Sequence, residues 1–391
     1  MRILHTSDWH VGKRLGRHDR MEEHRAAMAE VARVAAERGV DLVVHSGDLF
    51  DRPLPPVDAL QAALEALVGL ADAGRRPVVV VAGNHDSPDL FEALAPFLAG
   101  FGVHLVGRIK PPDDGGVLTL DTAAGLAHVA AFPFLRAVQT VDFMVRADRW
   151  YGEYADRVRR ICESYSHALL DAAAARPGAR VLVAHFMVDG VTVRRDAPRG
   201  ERDLHIGDAY AASGQAVPVA LDYVALGHIH APQPVPGVPV PAEYAGSLLQ
   251  LDFGEAGEEK RVVVVETGVA GAPAALESVP LSAGRPLMRV EGPWEALRDR
   301  TDLDEAWLDL VVDTGGPDPG LVDTVLERYP RVVKVQARYP RPEGAPPAAS
   351  AGRPWADLYR DYHADAHGGP PGEALLEAFS AAEEQAREAA R

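Results

Sequence analysis

The sequence predicts an α/β fold, because strand-like apolar runs alternate with segments of helical periodicity through the first hundred residues. Val78–Val81 is a run of four β-branched residues, which is typical of a strand buried on both faces of a sheet. Residues 20–38 carry apolar side chains at helical spacing, and two prolines precede a second helical segment at residues 57–73. Polar motifs follow successive strands, so we expect them at one edge of the sheet, where open α/β folds place their sites.

Five short motifs follow predicted strands at residues 2–7, 41–46, 77–82, 180–184 and 223–226. In chain order the motifs are Asp8-Trp9-His10, Gly47-Asp48, Gly83-Asn84-His85-Asp86, His185 and Gly227-His228-Ile229-His230. Each is weak by itself, because Gly-Asp or Asn fits an ordinary turn and a lone histidine is more often a hydrogen-bonded core residue. The ordered set is specific, and the histidine pair at i, i+2 is its strongest part.

Later segments predict more strands, a long helix and a second folding unit. A helix is expected at residues 151–175, and strands at 242–251 and 261–266. Beyond a composition break, strands at 287–291, 306–313 and 331–339 alternate with helices at 294–299 and 320–329. We therefore predict a catalytic domain at 1–282, a βαβαβ accessory domain at 283–340, a linker rich in Pro, Ala and Gly at 341–354, and a helical tail at 355–391.

The tail is predicted to hold two amphipathic helices, at residues 355–363 and 373–390. Leu375, Leu376 and Phe379 share one face of the second helix. Such a stripe either folds back on the protein or docks on a partner, and we favour the partner because the linker frees the tail.

The composition is that of a globular protein without disulfides. The chain has 391 residues, of which 47% are hydrophobic, so it can form two or three domains. Its single cysteine, Cys162, excludes an intrachain disulfide and a thiolate zinc cluster. The first motif begins at residue 8, and no apolar stretch approaches the ~20 residues that span a bilayer. We expect no signal peptide, no membrane segment and a cytoplasmic location.

The net charge of −17 argues against a large generic nucleic-acid-binding surface. Bound divalent cations would nevertheless make the site locally positive. Basic residues that flank the motifs could line a groove for a phosphate backbone, or could be solvated loop residues. They are Lys13, Arg14, Arg17 and Arg20, and then Arg194, Arg195, Arg199 and Arg202.

Carboxylate, imidazole and amide ligands together suit two divalent transition ions, and two such ions ~3.5–4 Å apart can clamp a phosphoryl group. A metal-bound water is then acidified toward neutral pH and becomes the nucleophile. The expected ligands are Asp8, His10 and His230 for the first ion, Asn84, His185 and His228 for the second, and Asp48 for both. The indicated chemistry is hydrolysis of a phosphate ester.

His85 follows an expected ligand, and we expect it to act on the phosphate or to protonate the leaving alkoxide as a general acid. Asp86 is expected to orient that imidazole or to cap the following turn. The other histidines near the motifs are expected to be structural: His5, His45, His104 and His128 in or near strands, and His18 and His24 on polar segments.

The ordered motifs resemble those of the calcineurin-like metallophosphoesterase superfamily, and their flanking residues resemble the bacterial SbcD nucleases. The resemblance covers about the first 270 residues strongly, the accessory domain by layout, and the tail by its position and helical pattern. The segments that carry it are residues 5–12 (HTSDWHVG), 47–51 (GDLFD) with Pro55-Pro56, 223–230 (YVALGHIH) with Pro232-Gln233, 244–249 (YAGSLL) and 251–255 (LDFGE).

This resemblance implies a four-layer metallophosphoesterase β-sandwich flanked by helices, with a small α+β capping domain at 283–340 and C-terminal helices. It implies a manganese-dependent enzyme, with Mg²⁺ as the alternative, that degrades double-stranded DNA ends from the 3′ side and cuts single strands and hairpins internally. The implied context is DNA end processing, recombination and replication. The implied partners are DNA, a second copy bound through the nuclease domain, and an SbcC-type, SMC-like ATPase bound by the C-terminal helices, with no membrane.

When the roles known for the family are carried over motif by motif, the resemblance implies that His85 is the catalytic histidine. It implies the same seven metal ligands: Asp8, His10, Asp48, Asn84, His185, His228 and His230. Asp51 stands where the archaeal and eukaryotic branch has a histidine after Gly-Asp-x-Phe, as bacterial members often do. A role for that histidine in opening DNA ends does not carry over to this chain.

Two other functions are open at this point. A small-molecule phosphodiesterase or phosphatase could use the same ligands, but it would have little need of a detached docking stripe. A catalytically inactive scaffold stabilised by metals is the other alternative, and the complete ligand set with His85 argues against it.

Overall fold

The computed structural model describes residues 1–136, 147–192, 211–214, 217, 221–268, 273–340, 354–367 and 369–389. The described helices are α1 (Met21–Glu37), α2 (Val57–Leu70), α3 (Pro88–Ala99), α4 (Ala147–Ala175), α5 (Trp294–Leu297), α6 (Leu321–Arg328), α7 (Trp355–His367) and α8 (Glu373–Ala389). The described strands are β1 (Arg2–Thr6), β2 (Leu42–His45), β3 (Val78–Val81), β4 (Val103–Val106), β5 (Val117–Thr122), β6 (Gly125–Phe132), β7 (Gly178–His185), β8 (Met187–Val188), β9 (Ala211–Ala212), β10 (Tyr223–Gly227), β11 (Gln233–Pro234), β12 (Ala242–Tyr244), β13 (Arg261–Glu266), β14 (Ala275–Pro280), β15 (Leu287–Pro293), β16 (Trp307–Asp313) and β17 (Val332–Arg338).

Two six-stranded sheets form the centre of the described fold. The first has the order β14-β13-β1-β2-β3-β4, in which β1 to β4 run parallel and β13 pairs antiparallel with β1. The second has the order β11-β12-β10-β7-β6-β5, with parallel pairing of β6, β7, β10 and β12. Because parallel neighbours end at the same edge, the loops after these strands lie side by side.

The core is built in layers that confirm the predicted four-layer sandwich. Alternate residues of a strand point to opposite faces, so Val79 packs against the second sheet while Val78 packs against helices. The apolar cluster between the sheets contains Val44 and Val81 from one and Val183 from the other. Helices α1 and α2 cover the outer face of the first sheet, and α4 covers that of the second.

A third sheet, of order β15-β16-β17, lies at residues 287–338, where the sequence predicted a strand-helix-strand-helix-strand unit. Its own apolar cluster packs α5 and α6 against the sheet. Glu23 of α1 links it to the sandwich by accepting hydrogen bonds from Trp307 Nε1 at 2.9 Å and Arg285 N at 2.8 Å. The division of the chain at residue 283 stays a prediction.

The described residues within 315–317 and 338–391 form a compact unit of their own. Within it, α7 and α8 pack together through the stacked rings of Tyr359 and Phe379, whose centroids lie 4.3 Å apart. Trp355 and Leu375 are exposed. The predicted linker at 341–354 lies outside the described residues except for its last position.

The strand predicted at 242–251 ends at Tyr244 instead. Gly246 takes a left-handed φ of +83°, and a Cβ there would lie 2.6 Å from His230 O. The turn brings Ser247 N within 3.1 Å of the same carbonyl. The chain therefore leaves the sheet to pass beside the last motif. No described helix combines the length and apolar character that crossing a membrane requires.

Candidate metal centre

The five motifs meet at the carboxyl ends of β1, β2, β3, β7 and β10, the edge at which the sequence predicted a site. Four of their residues hold left-handed backbone conformations, with φ of 49° at Asp8, 44° at His10, 53° at Asp48 and 98° at His228. Such conformations cost of the order of 1–3 kcal/mol each in residues other than glycine, and they concentrate at functional sites. The motifs thus hold four of the six non-glycine residues with positive φ in the described part of the chain; the other two, Asp72 and Ala73, lie in the turn after α2.

The first cluster consists of Asp8, His10 and His230, whose donor atoms lie within 4.8 Å of one another. His10 Nε2 lies 3.1 Å from His230 Nε2. His230 Nδ1 donates to Glu255 Oε1 at 2.8 Å, so the lone pair of the neutral His230 ring is on Nε2. That lone pair points into the cluster. These are the residues predicted to hold the first ion.

The second cluster consists of Asp48, His185 and His228, again within 4.8 Å. Asn84 joins it, because its Oδ1 lies 2.9 Å from both His185 Nε2 and His228 Nδ1. His185 Nδ1 donates to the Ser46 carbonyl at 2.8 Å, which leaves the lone pair of the neutral ring on Nε2. These are the residues predicted to hold the second ion.

Asp48 connects the two clusters. Its Oδ2 lies 3.6 Å from His10 Nε2 and 3.4 Å from His185 Nε2. Its Oδ1 accepts a hydrogen bond from His85 N at 2.8 Å. One carboxylate oxygen is therefore anchored to the backbone while the other faces both clusters, which is the position that a shared ligand requires.

The carboxylates favour positive charge within both clusters. Although burial lowers the pKa of His185, the Asp48 carboxylate raises it to about 9. Burial also lowers the pKa of His230, and the hydrogen bond to Glu255 raises it to about 9. Burial and the positive charge of His185 lower the pKa of His228 to about 3. A cation held by neutral imidazoles supplies the positive charge that the carboxylates favour.

The donor set fits divalent metal ions. In each cluster a histidine is fixed by a hydrogen bond on its outer nitrogen, so its inner lone pair faces other acceptor atoms. Acceptors that converge in this way repel one another unless a proton or a cation lies among them. Mixed imidazole and oxygen donors suit divalent transition ions rather than calcium or monovalent ions. The centre is therefore a divalent-metal site.

Two glycines permit the close approach of the loops. Gly47 has a φ of +104°, and a Cβ at this position would lie 2.3 Å from His185 Nδ1. A Cβ on Gly83 would lie 2.1 Å from Asp48 Oδ1. Both distances are too short for any side chain, so glycine is needed for the ligands to pack together.

His85 lies at the edge of the centre and is half-buried. Its Nδ1 donates to the Asp51 carbonyl at 2.9 Å, which leaves Nε2 for a substrate. Its ring centroid lies 4.7 Å from that of His10. The structure thus places the predicted catalytic histidine beside the clusters without making it a member of either predicted ligand set.

Asp86 has neither of the roles predicted for it. Asp86 lies before the following helix, which is capped by Ser87, and none of its hydrogen bonds among the described residues goes to the His85 imidazole. Its carboxylate accepts hydrogen bonds from three backbone N–H groups instead, at 2.8 to 3.1 Å, namely those of Gly83, Leu49 and Phe50. Asp86 therefore ties the second motif to the third.

Asp51, the residue noted above as standing in place of a histidine, has its carboxylate beside the metal centre. Its Oδ1 is 3.0 Å from Lys13 Nζ and 3.9 Å from His10 Nδ1. Lys13 is about one-third exposed. This ion pair occupies the rim of the centre next to His10 and His85.

Arg20 does not line a groove for a phosphate backbone, so the prediction is wrong for this residue. This side chain is 2% exposed, donates to Gln250 O at 2.6 Å and pairs with Glu23. Arg14 and Arg17 are exposed, as a groove or a solvated loop would both require. Four further arginines lie outside the described residues, namely Arg194, Arg195, Arg199 and Arg202.

Most of the other histidines are structural, as predicted. His5 is buried and bridges the two sheets, with Nδ1 2.8 Å from Tyr223 Oη and Nε2 2.8 Å from Ser46 Oγ. His24 was expected on a polar segment, but it is buried on the inward face of α1, close to Lys13 and Arg20.

Two neighbours of the ligands lie outside the five motifs. Glu255 accepts a hydrogen bond from His230 and lies in the segment 251–255, for which the sequence offers only a resemblance to known nucleases. Phe134 stacks on His228 with ring centroids 6.0 Å apart, and no motif indicated it. The turn from Leu251 to Glu255 holds two acidic residues, Asp252 and Glu255, and no pattern in the sequence singles out Glu255 as the partner of a ligand.

Comparison with known proteins agrees with this geometry. Residues 1–232 match the family model described as calcineurin-like phosphoesterase. The chain is 33% identical over 333 residues to the D subunit of the SbcCD nuclease of Bacillus subtilis, which covers 80% of this chain and 79% of that protein. It is 30% identical over 387 residues to the protein of the same name from Rhodobacter capsulatus, with 92% of both chains covered.

Among solved structures, a dimetal phosphatase from Danio rerio is similar at 11% identity and a TM-score of 0.41, covering 71% of this chain and 99% of that one. The crystal structure of the protein TT1561 from Thermus thermophilus is similar at 12% identity and a TM-score of 0.39, covering 71% and 98%.

Proposed function

The chain belongs to the calcineurin-like phosphoesterase family and is a metal-dependent nuclease of SbcD type, and on this premise we propose its substrate, metal and partners. The proposed substrate is DNA: duplex ends are degraded in the 3′ to 5′ direction, and single strands and hairpins are cut internally. The proposed metal is a pair of Mn²⁺ ions. The proposed role is that of the nuclease subunit of a repair complex in DNA end processing, recombination and replication.

The observation that carries the proposal is the position of Asp48 Oδ2 between His10 and His185. A carboxylate oxygen that faces two imidazole clusters supports two ions held close together. Such a pair of ions supplies Lewis acidity, which activates a water and offsets the charge that builds on the phosphoryl oxygens. The proposed ligands are Asp8, His10, Asp48, Asn84, His185, His228 and His230.

His85 completes the proposed mechanism. Its Nδ1–H is fixed on the Asp51 carbonyl, so Nε2 is directed to contact the scissile phosphate or to hold the proton that the leaving 3′ or 5′ oxygen takes up. The Asp48 carboxylate holds its backbone beside the clusters by accepting from His85 N at 2.8 Å.

Similarity along the whole chain supports DNA as the substrate, in preference to a small phosphate ester. The relative from Rhodobacter capsulatus is named as part of a nuclease, and its match covers 92% of this chain, which is more than the proposed nuclease domain alone contains. We propose that residues 1–282 form the nuclease domain and residues 283–340 a capping domain. A second copy is proposed to bind through the nuclease domain.

The substrate proposal is tested by incubating the purified protein and Mn²⁺ with blunt and hairpin DNA duplexes. The wild type is expected to degrade both. His85→Ala is expected to lose cleavage by ~10²–10⁴-fold while it binds as much Mn²⁺ as the wild type. The exposed His167 on α4 provides a matched control, because His167→Ala removes an imidazole far from any motif. Cleavage of nucleotide esters with DNA left intact would overturn the proposal.

We further propose that the C-terminal helices bind the coiled-coil base of an SbcC-type, SMC-like ATPase, with residues 341–354 as the linker. Support comes from the exposed apolar side chains of α7 and α8, which include Trp355, Tyr362 and Leu375. Deletion of residues 355–391 is expected to abolish co-purification with the ATPase and to leave cleavage of single-stranded DNA unchanged. Undiminished binding by the truncated protein would show that the docking surface lies elsewhere.

A further inference from the structure

Glu255 is a buried acidic residue that the mechanism above does not use. It lies 25 residues beyond His230, in a short turn after the second sheet, and is 2% exposed. Its Oε1 accepts from His230 Nδ1 at 2.8 Å. Its Oε2 accepts from Leu251 N at 3.0 Å and from Ser247 Oγ at 3.3 Å. Hydrogen bonds from its own loop thus fix the Glu255 carboxylate independently of its contact with the His230 imidazole.

Lys260 compensates the charge of this carboxylate. It is 5% exposed, and its Nζ lies 2.7 Å from Glu255 Oε2 and 2.8 Å from Glu258 Oε2. The same ammonium donates to the His230 carbonyl at 3.1 Å. A buried carboxylate without such partners would be strongly unfavourable. Residues 247–260 therefore hold His230 at two points, through its ring by Glu255 and through its carbonyl by Lys260.

The other histidine of the first cluster has no comparable support. His10 Nδ1 is buried and has no hydrogen-bond partner among the described residues, and it lies 3.9 Å from Asp51 Oδ1, beyond hydrogen-bond distance. In the second cluster, His185 is held by a neutral backbone carbonyl. Within the two clusters, Glu255 is the carboxylate in hydrogen-bond contact with the outer nitrogen of an expected ligand.

We propose that Glu255 is a positioning residue that fixes the tautomer and orientation of His230 and so sets the affinity of the ion held with Asp8 and His10. The inference rests on the proposed two-metal function. A carboxylate behind a ligand imidazole keeps the proton on the outer nitrogen and makes the inner nitrogen a stronger donor. Loss of such a partner typically weakens metal binding by ~10–100-fold. Because the second cluster has a different support, the effect falls on one ion of the two.

The test compares Mn²⁺ binding to the wild type, Glu255→Gln and Glu243→Gln by calorimetry, with bound Mn²⁺ counted by electron paramagnetic resonance. Glu243 is the matched control, because it is 8% exposed and pairs with Arg261 without contact to an expected ligand. We expect one of two sites in Glu255→Gln to bind ~10–100-fold more weakly and the other to be unchanged. Both sites should be unchanged in Glu243→Gln.

Wild-type Mn²⁺ affinities at both sites of Glu255→Gln, or equal weakening in both glutamine variants, would overturn the inference. A wild type that binds fewer than two Mn²⁺ ions would instead overturn the proposed function. Histidine ¹⁵N NMR of wild-type protein loaded with diamagnetic Zn²⁺ tests the tautomer without a variant. We expect the proton of His230 on Nδ1, and a proton on Nε2 would contradict the role of Glu255.

Discussion

Gly83→Ala is expected to disable the centre by displacing the shared ligand. A Cβ on Gly83 would lie 2.1 Å from Asp48 Oδ1, 2.3 Å from Asp48 N and 2.6 Å from Asp48 Cγ, whereas ordinary contacts begin near 3.4 Å. Rotation of the carboxylate does not relieve the contact with the backbone nitrogen. The loop that carries Asp48 must therefore move away from residue 83 by about 1 Å.

The expected losses of cleavage rate and of stability follow from the displacement of the Asp48 loop. A misplacement of about 1 Å in a catalytic arrangement can reduce the rate by ~10²-fold. Overpacking of a dense site also costs about 1–3 kcal/mol of the free energy of unfolding. We therefore expect kcat for DNA cleavage to fall by ~100-fold and Mn²⁺ affinity to weaken, in a protein that is still folded at room temperature.

The assay measures cleavage of a labelled duplex at saturating Mn²⁺, together with urea unfolding of the metal-free protein. Gly69→Ala is the matched control, because Gly69 lies in α2 and a methyl group added there would meet no atom within 4 Å. It should stabilise the helix by about 1 kcal/mol and leave kcat unchanged. Wild-type kcat and Mn²⁺ affinity in Gly83→Ala would show that Asp48 does not need its observed position.

Two further predictions concern charge. Because His185 and His230 have a pKa raised to about 9 by Asp48 and Glu255, protons compete with metal below that pH. The apparent Mn²⁺ affinity, measured by calorimetry, should fall roughly tenfold per pH unit as the pH is lowered from about 8.5 to about 7, and a pH-independent affinity would contradict these protonation states. Glu23→Ala should lower the free energy of unfolding in urea by roughly 3–5 kcal/mol, because it leaves Arg20 buried and unpaired. A loss below about 1 kcal/mol would mean that Arg20 finds another partner.

The motifs were predictable because their chemistry is local. Asp8 and His10 are two residues apart after a strand, and His228 and His230 repeat that spacing, so strand ends and residue types sufficed to bring them to one edge. The grouping into two clusters also followed, since parallel strands end side by side.

The supporting contacts were not predictable, because they join residues that are distant in sequence. Arg20 appeared in a basic run, yet it donates to Gln250 O across the fold. Glu255 reaches His230 because the turn at Gly246 brings its loop beside the last motif. The predicted roles of Asp86 were based on its neighbour His85, whereas the Asp86 carboxylate accepts hydrogen bonds from the loop after β2. Tertiary placement decided each of these, and hydrophobic periodicity carries no signal for it.

The central claim is that this edge of the sheets holds two metal ions that share one carboxylate. Anomalous diffraction from crystals equilibrated with Mn²⁺, recorded at the manganese absorption edge, tests it directly. We expect two peaks ~3.5–4 Å apart, both in contact with Asp48. The remaining contacts should divide as Asp8, His10 and His230 on one peak and Asn84, His185 and His228 on the other. A single peak, or two peaks that do not share Asp48, would contradict the account.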